Sequence, residues 1–122
     1  MPNIEPFEKY IEQYEEWFDR YEDVYKSELL AIESIAPIPD NSVEIGIGSG
    51  LFAAELGIDC GVDPSPEMLG KARERGLDVV QGVAESLPWE DNSFDYALMV
   101  TTICFVDNVD KAIAEVYRIL QP

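Results

Sequence analysis

V-E-I-G-I-G-S-G, residues Val43–Gly50, decides how this chain folds. Val43–Ile45 is a short β-type apolar run carrying an acid, Glu44, and it is followed by glycines at alternate positions, Gly46, Gly48 and Gly50. The pattern reads as a buried strand that turns sharply at Gly46 and feeds a helix near Gly50. Glycine suits such a turn because it adopts backbone angles other residues resist, and because a Cβ would hold a ligand away from the backbone. Amides at the start of the following helix carry a partial positive charge, so the stretch reads as a nucleotide-type site.

Outward from it, strands alternate with helices. After the glycine turn come a short helix over 51–56 closed by Gly57, a strand over 58–63 ending in Asp63, and a helix begun by Ser65 and Pro66 that stops at Gly76. A third strand over 77–82, a polar loop over 85–93, a fourth strand over 94–100 and a last helix capped by Asp107 or Asn108 complete the series. Ala112, Ile113, Val116, Tyr117 and Leu120 are expected to line one face of that helix. Such alternation means βαβ units and a parallel sheet, hence an α/β, Rossmann-like fold. Ahead of the sheet, residues 6–35 are helical in pattern. Phe7, Tyr10, Tyr14, Trp17, Phe18 and Tyr21 form an aromatic stripe, the phase shifts at a break near 20–23, and Asp23 is a candidate N-cap. The chain thus divides into an N-terminal helical cap, 1–36, and a Rossmann-like cofactor-binding domain, 37–122, in one compact unit.

Composition narrows the function. With 25 acidic against 8 basic residues and a net charge of −17, the surface repels nucleic acid and anionic membranes. No apolar run reaches the length of a membrane span and the first residues are no signal peptide, so a cytoplasmic location is expected. Cys60 and Cys104 lack CxxC spacing and the chain has no histidine, which speaks against zinc and removes the commonest general base.

The dinucleotide fingerprint GxGxxG is not met, since Leu51 stands where its third glycine belongs; the pattern is GxGxG, with the acid Asp63 closing the second strand. Together with G-V-D-P-S (61–65), V-A-E-S-L-P-W-E-D-N-S-F-D (83–95), A-L-M-V-T-T-I-C-F-V (97–106) and A-E-V-Y-R-I-L-Q-P (114–122), it resembles the class I S-adenosylmethionine-dependent methyltransferases, in the small-molecule branch of ubiquinone/menaquinone-biosynthesis type. The resemblance runs from Val43 to Pro122. It implies a three-layer sandwich with strand order 3-2-1-4, the first four strands of a seven-stranded fold, so the chain is identified as a C-terminally truncated member. It also implies S-adenosylmethionine as cofactor, S-adenosylhomocysteine as product and a small-molecule acceptor.

Carried over, the resemblance implies that Gly46 and Gly48 admit the methionine moiety and sugar, with Gly50 a further cofactor-binding candidate and Glu44 behind the loop near the cofactor's ammonium. Asp63 holds the ribose hydroxyls, and Pro64 and Ser65 flank the adenine. The Ala84 amide meets an adenine nitrogen, Glu85 is a further adenine-side candidate, and Thr101 lies near the sulfonium. Tyr14, Trp17 and Tyr21 are candidates for a lid. The chain departs from the family at Val83, where an adenine-binding Asp is common. No catalytic base is assigned. Each role has a plainer counterpart that stays open: a ligand-free tight turn for the glycines, a turn cap for Asp63, a solvated loop residue for Glu85, core packing for the aromatic stripe and an ordinary strand end for Thr101.

Three functional readings are open on this basis. The chain is a methyltransferase, a cofactor-binding module without catalysis, or a Rossmann-like oligomerisation domain with an empty site. An apolar fourth strand at the sheet edge is a pairing template, so a homo-oligomer through that strand or the last helix is expected.

Overall fold

The computed structural model of the protein describes residues 4, 5, 8, 10–100, 102 and 106–122. Two helices, α1 (Ile11–Arg20) and α2 (Glu22–Ile35), precede the sheet. Then come β1 (Ser42–Ile45), α3 (Leu51–Leu56), β2 (Cys60–Asp63), α4 (Pro66–Glu74), β3 (Asp78–Gln81), β4 (Tyr96–Leu98) and α5 (Val109–Ile119) in strict alternation, apart from the loop that joins β3 directly to β4. The four strands form one parallel sheet in the order β3-β2-β1-β4, as expected. Val43 stands opposite Cys60 on one side and Ala97 on the other, which puts the glycine turn at the middle of the sheet's carboxyl edge. In open α/β sheets that edge is where ligands bind.

Successive strand residues point to opposite faces, and each face has its own core. Val43, Ile45, Val62 and Ala97 pack with Ala112 and Ile119 of α5. On the other face Val79, Tyr96 and Leu98 meet Ala53 of α3 and Leu69 and Ala72 of α4. Helices therefore cover both faces, and the three-layer arrangement results from the two-residue period of the strands.

Several local expectations need correction. The helical break falls at one residue, Tyr21 (φ −110°, ψ 47°), and no side chain caps α2, so Asp23 lies inside its first turn. Tyr21 suffices as the break because its amide still donates to Trp17 O while its own carbonyl accepts from Val24 and Tyr25. The phase of α5 also differs. Ala112 and Ile119 are buried, whereas Ile113 is 56% and Tyr117 82% exposed. The inward stripe is instead shared with Glu115 and Arg118, whose polar bonds to the 87–91 loop occupy the space apolar side chains were expected to fill. Asn108, not Asp107, caps α5, accepting from the Lys111 amide at 3.1 Å. The fourth strand is shorter than 94–100. Phe94 bridges to Leu120 instead, donating to Ile119 O at 2.9 Å and accepting from Gln121 N at 2.8 Å, so the chain's own last residues take up that part of the sheet edge.

Gly50 caps α3 in the left-handed region at φ 86°, and a Cβ there would overlap Leu77 Cδ1. Left-handed backbone costs a non-glycine residue about 1–2 kcal/mol and crowding a packed core adds about 1–3 kcal/mol. Gly50→Ala is therefore expected to lower unfolding stability by about 2–5 kcal/mol in a urea titration; a loss below about 1 kcal/mol would show that Leu77 swings aside freely.

Candidate functional site

The glycine turn is held in shape by its own chain. Gly46 N and Ile47 N both donate to Val62 O, Gly50 N donates to Ile47 O at 3.0 Å, and Gly48 N donates to Asp63 Oδ2 at 3.0 Å. All three glycines have positive φ, 77°, 58° and 86°, which supplies the conformational reason for glycine. The space their missing Cβ atoms leave is used by the protein itself: Thr102 packs on Gly46, Met68 Cε lies 3.0 Å from the Cβ position of Gly48, and Leu77 fills the side of Gly50.

Asp63 ends β2 beside this turn. Its Oδ2 takes the Gly48 amide and its Oδ1 the Ser65 amide at 2.9 Å, so the carboxylate joins the glycine turn to the start of α4. Burial raises its pKa, with the amides of Ser65 and Gly48 acting against that. Ser65 caps α4 through its hydroxyl, which accepts from Met68 N at 3.3 Å. Pro64, on the same connection, offers its carbonyl to Gln81 Nε2 at 3.1 Å.

Glu44 points into the layer beneath α3 and is 2% exposed. Burial drives its pKa well above the ordinary carboxylate value, Asp63's charge adds to the rise, and the Ala53 amide at the start of α3 offsets it. Its Oε1 is buried with no hydrogen-bond partner among the described residues. A buried carboxylate oxygen left unpaired is costly unless a donor arrives from outside the protein.

A cleft of about 190 Å³ opens above Glu44 and Gly46. Tyr14, Trp17 and Phe18 of α1 form its roof, Glu28 of α2 closes one side, and Leu51 and Phe52 of α3 line the floor. Of the lid candidates, Tyr14 and Trp17 thus face the cleft. Tyr21 lies tilted against Trp17, ring centres 5.0 Å apart, without lining the cleft. Phe18 and Tyr25 meet Phe52 edge-to-face, and the Tyr25 hydroxyl donates to Leu51 O, so the roof is anchored to the floor. Two further ties were not legible in the sequence. Arg75 Nη1 contacts Glu15 Oε2 at 2.9 Å and Ser49 O at 3.0 Å, and Glu8 Oε2 accepts from Glu67 N at 3.1 Å. Each joins a charged side chain to a group far away in the chain, a carboxylate and a carbonyl for Arg75 and a backbone amide for Glu8, and no local pattern marks either.

The hydroxyl of Tyr14 is pushed up to about 12, first by burial and then by the charges of Glu44, Asp63, Glu15 and Glu28. Tyr25 also rises to about 12, again mainly by burial. For an acid with a raised folded-state pKa, the contribution to stability is intact below the unfolded value of 10.0 and is lost as pH climbs toward 12. Two of the six tyrosines should therefore ionise last in an ultraviolet titration, and Tyr14→Phe and Tyr25→Phe should each remove one late step. Six equivalent steps near pH 10 would contradict this burial.

In the 83–93 loop Glu85 binds backbone through one oxygen, while its Oε1 is buried with no hydrogen-bond partner among the described residues. Its Oε2 accepts from the amides of Asp107 (2.9 Å) and Asn108 (3.1 Å), which ties the loop to the start of α5. Ala84 is 7% exposed and packs in the core, and Val83 bridges to Ser86 in a tight turn. Thr101 lies outside the described residues, as does Phe7 of the aromatic stripe. Among the described residues no group of His, Cys, Asp or Glu side chains is arranged to hold a metal ion, and no helix is long and apolar enough to cross a membrane.

Residues 43–122 match the family described as a methyltransferase domain. A solved structure from Thermotoga maritima, described as a SAM-dependent methyltransferase and possible histamine N-methyltransferase, superposes with a TM-score of 0.93 at 49% identity, covering 97% of this chain and 56% of that one. An uncharacterized protein of Methanocaldococcus jannaschii is 42% identical over 115 residues, 94% of this chain and 56% of its own length. The ubiquinone/menaquinone biosynthesis C-methyltransferase UbiE of Brucella canis is 42% identical over 69 residues, 50% of this chain and 26% of that protein. The chain thus spans little more than half the length of the first two of these relatives.

Proposed function

Because this chain belongs to the methyltransferase domain family, we propose that it holds S-adenosylmethionine, the family's cofactor, across Gly46–Gly50 and Asp63, and serves methyl transfer to a small acceptor. The observation that carries the reading is Asp63 at the carboxyl end of β2, joined by its two oxygens to the glycine turn and to the start of α4. Each oxygen takes one backbone amide and retains lone-pair capacity for a ribose hydroxyl. The unpaired Oε1 of buried Glu44 supports a cationic group beside the turn, which fits the cofactor's ammonium. When bound, the sulfonium supplies a methyl group on a charged leaving group, so the chain's own task is alignment and exclusion of water. Tyr14 and Trp17 over the cleft suit the second task.

The aromatic roof combined with Glu28 supports a neutral or cationic acceptor. An amine fits this chemistry, in keeping with the description of the T. maritima protein. Residues 1–36 then act as a cap over the 37–122 cofactor domain, in a cytoplasmic protein that pairs through β4 or α5. Light scattering tests the pairing, and a monomer at high concentration would refute it.

The test of function is calorimetric titration with S-adenosylhomocysteine, followed by methyl-transfer assays on amines. Micromolar binding, about −8 kcal/mol, is expected. A folded protein that binds nothing would overturn the reading, and binding without transfer to any acceptor would leave a cofactor module.

A further inference from the structure

α1 is attached differently from the helices that flank the sheet. None of its residues is buried, whereas α3, α4 and α5 each put side chains into the core. An element with little buried apolar surface opens at low cost. α2 stays on the body through Tyr25, whose hydroxyl donates to Leu51 O and whose ring meets Phe52 edge-on. Between the two helices lies Tyr21 alone, and residues at element ends are where hinge rotation is absorbed.

Besides the edge-on contact of Phe18 with Phe52, α1 and the residues before it are fastened at both ends of α4. At its start Glu8 Oε2 accepts from Glu67 N at 3.1 Å, close enough to Asp63 for its charge to act on that carboxyl. At its end Arg75 Nη1 lies 2.9 Å from Glu15 Oε2, out of line for a hydrogen bond, while it donates to Ser49 O at 3.0 Å. Charge and helix dipole make these ties, not packing, and such ties contribute little where they are partly exposed. With α1 down, the space roofed by Tyr14 and Trp17 is about 190 Å³ and does not reach Asp63. That is below the ~300 Å³ at which ligand pockets begin, so a cofactor spanning Glu44 and Asp63 needs the roof to lift.

We propose that α1 is a gate that swings about Tyr21, that Glu15–Arg75 and Glu8–Glu67 latch it shut on α4, and that the cofactor enters and leaves when the latch opens. Glu8, Glu15 and Arg75 are positioning residues that act through α1. The inference rests on the S-adenosylmethionine reading above.

The test is stopped-flow binding of S-adenosylhomocysteine, followed by tryptophan fluorescence, on wild type, Glu15→Gln, Glu8→Gln and the double variant. Glutamine keeps each shape and removes the charge, and Arg75 keeps its bond to Ser49 O. Melting is followed in parallel to confirm folding. Loss of one latch should raise the association and dissociation rates together, about threefold in each single variant and ~tenfold in the double one, with Kd nearly unchanged. Residues that merely support the site would speed dissociation alone, and affinity would fall by the same factor. That result, or wild-type rates in folded variants, overturns the gate. Hydrogen exchange without ligand gives a second readout: amides of 11–20 should exchange faster in the variants while those of 22–35 do not. An equal change in both helices overturns the hinge at Tyr21. If wild type binds no S-adenosylhomocysteine, the cofactor reading itself fails and the gate falls with it.

Discussion

Asp63→Ala is expected to weaken S-adenosylhomocysteine binding by ~100-fold or more, read by titration calorimetry. Hydrogen bonds to a charged group contribute about 1.5–3 kcal/mol each, and the proposed site sets two ribose hydroxyls against this one carboxylate, so about 3 kcal/mol or more is at stake. The loss has a second source. Gly48 N and Ser65 N both donate to this side chain, and without it the glycine turn and the start of α4 lose their shared anchor. Asp63→Asn separates the two contributions. Asparagine presents one acceptor oxygen where aspartate has two, so only one amide keeps its partner and an intermediate affinity should result. A variant that melts like wild type and binds with unchanged affinity would show that Asp63 is only a turn residue.

Glu44→Gln is expected to act in opposite directions on stability and on binding. The folded protein raises the pKa of Glu44, chiefly by burial, so ionising it works against folding. Between the unfolded value of 4.5 and the folded one, the native state holds more protons than the unfolded state. Stability therefore falls as pH rises through that window, and above it the full penalty persists. Below pH 4.5 the glutamine variant should match wild type; as pH rises above it, the variant should become progressively more stable. Binding should go the other way. An ionised carboxylate beside the cofactor's ammonium forms a charge-assisted bond that an amide cannot, so affinity should drop ~10-fold or more, about 1.4 kcal/mol. Wild-type affinity should rise with pH more steeply than the variant's, and the difference between the two profiles is the part due to ionisation of Glu44. Equal affinities across the pH range would remove Glu44 from the site. Asp63 is nearby and its pKa is also raised, so the experiment needs the variant and not the wild-type profile alone.

These two residues were legible because their signals are local. Glu44 is an acid inside a short apolar run of strand type, and Asp63 closes the next strand before a proline. Strand, turn and helix succeed one another within a few residues, where backbone preference and side-chain period dominate. The aromatic stripe was half legible. It placed Tyr14 and Trp17 on one face of α1, but the one-residue break at Tyr21 takes that residue out of the stripe, and its ring lies tilted against Trp17 instead. The phase of α5 was not legible, because Ile113 and Tyr117 look like core residues while the inward positions are shared with the charged pair Glu115 and Arg118.

The sequence by itself determined the order of strands and helices, the parallel sheet, the glycine turn and the acid at the end of β2. Each depends on residues close in the chain, and burial of a two-residue or 3.6-residue pattern leaves few other solutions. Only the tertiary structure decided that Arg75 joins Glu15 of α1 to the Ser49 carbonyl, that Glu85 turns to α5, and that Arg118 holds a loop 27 to 31 residues away. A charged side chain on an exposed-looking position has many partners open to it in the extended chain. Which one it meets is set by packing of the apolar faces, after which the polar groups left inside must find each other.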